Sequence, residues 1–123
     1  MTAADRELYE QAVAVAARAY APYSKFFVGA AVRARDGRVF LGVNVENAAY
    51  PLGVCAEKSA LTRAVGEGVR PGEVEAIGIT ASPCGGCRQW LAEFGLDRVI
   101  YADNAGEVVE STPAELLPDT FSF

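Results

Sequence analysis

Histidine is absent from this chain. That absence excludes every mechanism in which one chain supplies its own imidazole, from Ser-His and Cys-His nucleophiles to a histidine general base. Any metal site must therefore use Cys, Asp or Glu. Cysteine is scarce too: there are three, an odd number that suggests no disulfide framework. No apolar run approaches the roughly 20 residues that span a bilayer. Basic residues are outnumbered, 11 Lys and Arg against 16 Asp and Glu, for a formal net charge of -5. Nucleic-acid binding normally needs a basic stripe that displaces counterions, so a small uncharged ligand suits this surface better.

What is present is apolar. Hydrophobic residues make up 51% of the chain, which predicts a packed core rather than disorder. A chain of 123 residues has the size of one domain, and residues 1–123 are expected to form a single catalytic unit. The start, MTAADRELYEQ, is acidic and has no apolar signal core, so the expected location is the cytoplasm.

Helical and extended patterns alternate along the chain. Residues 3–20 carry Leu8, Ala12, Val15 and Ala16 on one stripe, with Thr2 as N-cap and Pro22 as terminator. Residues 26–34 and 38–45 read as strands joined by a two-residue hairpin at Asp36-Gly37. Gly29 and Gly42 fall inside these strands, which marks a bulge or a close approach of other backbone. A loop, 46–54, precedes a helix over 55–67 with Ala60, Leu61, Ala64 and Val65 on its buried side. A buried strand over 73–81 leads into a helix that starts in SPCGGC and ends at Phe94, with Gly95 as its cap. Strands over 97–103 and at Glu107–Glu110, then a short helix opened by Thr112-Pro113, complete the chain. The order α-β-β-α-β-α-β-β-α predicts an α/β protein: a three-layer α/β/α sandwich around a mixed five-stranded sheet.

The chemistry concentrates on the cysteines. Cys84-Gly85-Gly86-Cys87 is a Cys-x-x-Cys at a strand-to-helix junction. Alone it fits half a zinc site, a redox dithiol, or two core cysteines. Cys55 sits at a second helix entrance. Helix N-termini favour the thiolate that binds metal, and all three cysteines occupy such positions. Three thiolates without a fourth ligand suit a catalytic zinc, which keeps one position for water. Glu57 lies only two residues from Cys55, a poor spacing for a shared ligand. It suits an acid/base beside that water better. Otherwise it reads as a first-turn Glu answering the helix dipole. Three thiolates give the metal site a net negative charge. Lys58 and Arg88, each near a ligand cysteine, are candidates to offset it.

Cys55-Ala56-Glu57 followed by Pro83-Cys84-Gly85-Gly86-Cys87-Arg88-Gln89 resembles the zinc nucleoside and nucleobase deaminases, a class whose zinc sites are His/Cys/Cys or three cysteines with a Glu that is not a ligand. The three-cysteine form looks like the small homotetrameric cytidine deaminases. The resemblance extends through Tyr20–Phe26, Val28–Ala31, Asn44–Ala48 and the tail Glu115–Pro118 with Phe121. It implies one Zn²⁺ per chain on Cys55, Cys84 and Cys87, with Glu57 as proton shuttle. It implies ribose contacts from Asn44 and Glu46, packing by Phe26, and backbone contacts to the pyrimidine at Ala56. Phe121 is implied to enter a neighbouring subunit's site, in a homotetramer with shared active sites. The implied reaction is hydrolytic deamination of cytidine, and of 2'-deoxycytidine, in pyrimidine salvage. Blasticidin S deaminases share the cysteine motifs, but they lack the Asn-x-Glu-Asn that Asn44–Asn47 supplies here. Three departures stand out. Lys58 takes the place of the family's common Arg, which removes a planar fork able to meet two sulfurs. Phe27 replaces a common Pro, and the loop Ala49–Val54 follows its own pattern.

Overall fold

The computed structural model describes residues 1–123. Its elements are α1 (Ala3–Ala16), β1 (Gly29–Ala34), β2 (Val39–Val43), α2 (Ala56–Gly66), β3 (Val74–Ile79), α3 (Gly85–Phe94), β4 (Arg98–Ala102), β5 (Val108–Ser111) and α4 (Pro113–Leu116). The sheet order is β2-β1-β3-β4-β5. All neighbours are antiparallel except β3 and β4, so the five-stranded sheet is mixed, as expected. No helix is long and apolar enough to cross a membrane.

Strand alternation divides the core in two. Ala30, Val32, Ile77, Ile79 and Val99 pack on one face with Ala60, Leu61, Ala64, Leu91 and Phe94 of α2 and α3. Ala31, Ala76 and Ile100 pack on the other with Leu8 and Ala12 of α1. This is the three-layer arrangement.

Topology also decides where the chemistry sits. β2 and β3 are both antiparallel to the intervening β1, so they run in the same direction. The chain passes from β2 towards α2, and from β3 into α3. Both helix starts therefore lie beyond carboxyl ends of parallel strands, on one edge of the sheet.

Local boundaries differ from the sequence reading in three places. α1 ends at Ala16 rather than near residue 20. The Tyr20 N–H donates to the Asn44 carbonyl (3.0 Å), and the Glu46 N–H donates to the Tyr20 carbonyl (2.8 Å). This long-range backbone pairing outweighs the helix preference of the alanines before it. Residues 26–28 stand outside β1, pinned by a side chain described below. The hairpin loop is Arg35–Gly37, one residue longer than expected. Ala34 N–H donates to Arg38 O, and Gly37 takes a positive φ of 95°, which favours glycine.

The sheet face under α1 holds a buried ion network that sequence reading did not anticipate. Asp5 is fully buried. It accepts from Arg33 Nη2 (2.5 Å) and Arg98 Nε (2.6 Å). Glu75 Oε1 accepts from both arginines, at 3.0 and 2.8 Å. Burial pushes the Asp5 carboxyl up, but hydrogen bonds from Arg98 and Arg33, with their charge, hold it below its ordinary 3.8. The stabilisation is thus present above the unfolded value and lost as pH falls through the lower folded one. Asp5→Asn is expected to cost about 3 kcal/mol, the low end for breaking a buried pair, because the arginines keep some solvent and Glu75. Denaturant melts at pH 7 and below pH 4 check this. The wild-type advantage over the variant should shrink at the acid end.

Candidate metal centre and active site

Cys55 is the N-cap of α2 and Cys84 the N-cap of α3. Cys87 lies in the first turn of α3, fully buried. Neither N-cap thiol bonds its own helix, so both are free to face outward. The three sulfurs lie within 4.8 Å of one another, and Cys55 Sγ and Cys84 Sγ are 4.0 Å apart. Tetrahedral zinc at thiolate distances of about 2.3 Å places its sulfurs roughly 3.8 Å apart. The cluster fits that ion with small adjustments.

The electrostatics fit it too. Hydrogen bonding from Cys87 pulls the Cys55 thiol down to about 6, against the cost of burial, with help from Cys84 and the Lys58 charge. The Cys87 thiol is pushed up by its hydrogen bond to Cys55, by burial, and by the negative charges of Glu57 and Cys55. One thiolate forms readily and a second is resisted. A bound cation removes that resistance.

Glu57, in the first turn of α2, is 4% exposed. Desolvation raises its pKa, with the Cys55 charge adding to the effect, while its backbone N–H works the other way. A carboxyl held in reserve as a proton carrier needs this environment. Ala56, beside it, is also buried.

The flanking cations part company. Lys58 Nζ stands 6.0 Å from the centre of the Trp90 ring, and its charge bears on Cys55. Arg88 is turned away. Its guanidinium donates to Pro83 O (2.8 Å), Leu116 O (3.0 Å) and Ser82 Oγ (3.3 Å). The expectation that it faces the sulfurs is corrected here: one residue beyond Cys87 is about 100° round the helix. Arg88 ties the ligand turn to the end of α4 instead.

Asn44 and Glu46 lie just past the carboxyl end of β2. Asn44 Oδ1 accepts from Val28 N (2.8 Å), and Nδ2 donates to Phe26 O (2.9 Å). The amide thereby fixes residues 26–28 and keeps one lone pair and one N–H spare. Glu46 Oε1 accepts from the N–H groups of Tyr23 (3.0 Å) and Ser24 (3.1 Å), and Oε2 accepts from the Ser24 hydroxyl. The Ser24 hydroxyl, followed by its backbone N–H, holds the Glu46 carboxyl below the usual range. A cavity of about 200 Å³ opens beside it, lined by Tyr23, Ser24, Glu46, Asn47, Tyr50 and Gly53. Phe26 is 61% exposed.

Phe121 is not gathered into this cluster. It stacks edge-on against Phe123 at 5.2 Å and lines a larger cavity, about 530 Å³, with Leu96, Pro113 and Thr120. That cavity contains no cysteine, so thiol chemistry rather than volume selects the site.

The zinc-binding region model of the cytidine and deoxycytidylate deaminases matches residues 2–103, a span that includes all three cysteines and Glu57. The chain belongs to that family. Among relatives of this deaminase family, the cytidine deaminase of Sporosarcina psychrophila is 46% identical over 85% of this chain and 82% of its own. That of Halalkalibacterium halodurans is 44% identical over 96% and 95%. The crystal structure of cytidine deaminase from Burkholderia pseudomallei superposes with a TM-score of 0.88 at 45% identity, covering 98% of this chain and 100% of that one. This is a zinc-binding deaminase family, and its ion fits the Cys55, Cys84 and Cys87 group.

Proposed function

We propose that this chain is a zinc-dependent cytidine deaminase, converting cytidine and 2'-deoxycytidine with water into the uridine counterparts and ammonia. One observation carries the reading: three convergent thiols at two helix starts, with a buried Glu57 beside them, in a chain of this family. Relatives of up to 46% identity are cytidine deaminases.

Cys55, Cys84 and Cys87 hold the zinc, one per chain. When bound, zinc supplies the Lewis acidity that makes a water nucleophilic near neutral pH. Glu57 takes a proton from the attacking water and delivers it to N3 of the pyrimidine as the water oxygen bonds to C4. It then takes the proton of the new C4 hydroxyl and passes it to the amino group, so that the C4–N bond breaks, the C4 carbonyl forms and ammonia leaves. Burial suits it to this traffic, because desolvation raises its affinity for a proton. The Ala56 backbone meets the base. The spare valences of Asn44 and Glu46 meet the ribose hydroxyls, and Phe26 covers the sugar and base. Lys58 offsets thiolate charge, while Arg88 steadies the ligand turn.

Residues 1–123 act as one catalytic domain in a homotetramer. Phe121 completes a neighbour's pocket, in keeping with its 71% exposure and its distance in sequence from the other site residues. The exposed Tyr20, Tyr23, Phe27, Tyr50 and Leu52 supply apolar surface for such contacts. The reading places the enzyme in the cytoplasm, in pyrimidine salvage.

Parallel turnover assays on cytidine, deoxycytidine and blasticidin S test this. Rapid loss of both cytosine nucleosides with negligible action on blasticidin S is expected. The reverse order of preference would overturn the substrate assignment while leaving the metal chemistry in place.

A further inference from the structure

Gly42 lies in β2 opposite Ala30, on the sheet face that carries α2. A Cβ at this position would fall 2.6 Å from the Ala56 carbonyl oxygen, 2.8 Å from Ala60 Cα, and closer still to the Ala60 nitrogen. Every one of these is a backbone atom. Backbone cannot swing aside as a long side chain does, so the whole turn must move. Ala56 O and Ala60 N are hydrogen-bond partners in the first turn of α2. That same turn carries Cys55 as its N-cap and Glu57 on its inner side.

Two other glycines give the comparison. A Cβ on Gly78 would come within 2.8 Å of Tyr9 Cα and 3.0 Å of Tyr9 N. One on Gly29 would come within 2.9 Å of Ala16 N, and nearer still to Ala12 O. Both clashes are with α1, across the sheet from the thiols. The crowding is of one kind, but only at Gly42 is the crowded element the one that bears the zinc ligand and the acid. Ala56 and Ala60 are themselves buried to 1% and 0%. No side chain intervenes between strand and helix at this level.

We infer that Gly42 is a positioning residue: its missing side chain sets the depth at which the first turn of α2 seats on β2, and so the reach of Cys55 and Glu57 towards Cys84 and Cys87. The inference rests on the function proposed above. α3 is held by its own packing and by Arg88, so a shift of α2 alone opens the thiol cluster on one side. A displacement near 1 Å is enough to lower turnover about 10²-fold.

The test compares wild type, Gly42→Ala and Gly78→Ala, each loaded with Co²⁺ for spectroscopy and with Zn²⁺ for assay. Gly42→Ala should shift the cobalt–thiolate absorption bands, bind Co²⁺ more weakly in chelator competition, and lower kcat on cytidine about 10²-fold. Gly78→Ala should lose thermal stability yet keep wild-type bands and a kcat within about twofold of wild type. If Gly42→Ala does not fold, Ala60→Val crowds the same contact from the helix side and carries the same expectation. A folded Gly42→Ala or Ala60→Val with wild-type bands and kcat overturns the inference. Equal spectral and kinetic losses in Gly78→Ala overturn it as well. An inactive wild type would instead overturn the proposed function, and the cobalt spectra would still decide the role of Gly42.

Discussion

Glu57→Gln is expected to lower kcat on cytidine by about 10³-fold or more while zinc content stays at one per chain. General acid/base groups contribute about 10²- to 10⁴-fold. Glu57 belongs at the upper end because one carboxyl serves both proton transfers in this reading. The substitution keeps size and shape but removes the group that can accept and return a proton near neutral pH. Stability should not suffer. At 4% exposure the carboxylate is already disfavoured by burial, so a neutral amide in its place fits at least as well. Thermal melts, zinc analysis and steady-state kinetics on one preparation check the three parts together. A variant with turnover within tenfold of wild type would remove Glu57 from the mechanism and leave it a first-turn helix residue.

Cys87→Ser is expected to abolish both metal and turnover. Cys87 is the one ligand that is fully buried, and it sits between Cys55, Glu57 and the core. A serine hydroxyl does not ionise near neutral pH, so it cannot replace the thiolate. Zinc after dialysis should fall below about a tenth of an equivalent, and activity should fall at least as far as in Glu57→Gln. Binding to the folded state alone stabilises it, so a chelator should lower the melting temperature of wild type and leave Cys87→Ser unmoved. The two variants separate roles: one keeps the ion and loses the proton carrier, the other loses the ion. A redox dithiol would show the opposite dependence, with Cys87 needed and both zinc and Glu57 irrelevant. A Cys87→Ser protein that retains a full equivalent of zinc would contradict the ligand set.

The strand and helix order was legible because each element carries a local signal. Thr2 caps α1 by accepting the Asp5 N–H at 3.0 Å, and Thr112 caps α4 by accepting the Glu115 N–H at 3.2 Å. Gly95 closes α3 with a φ of 63°. The metal group was legible because thiols at helix starts announce their chemistry without a fold. What escaped was set by distant partners. Asp5 looks like an ordinary first-turn acid; only the structure shows Arg33 and Arg98 reaching it from two strands. The true end of α1 depends on Tyr20 pairing with residues 44–46. Arg88 was placed by adjacency to a ligand, whereas the helical rotation between neighbours turns it towards Leu116. Gly42 was marked as a close approach, but its partner, the first turn of α2, is 14 residues further on and invisible to local pattern.

The central claim is that three thiols and one carboxyl make a hydrolytic deaminase. The most direct measurement is a paired one on wild-type protein purified without chelators: zinc per chain, and the loss of cytidine absorbance on conversion to uridine. The account predicts about one zinc per chain and rapid deamination from the same sample. Absence of both zinc and turnover would contradict it.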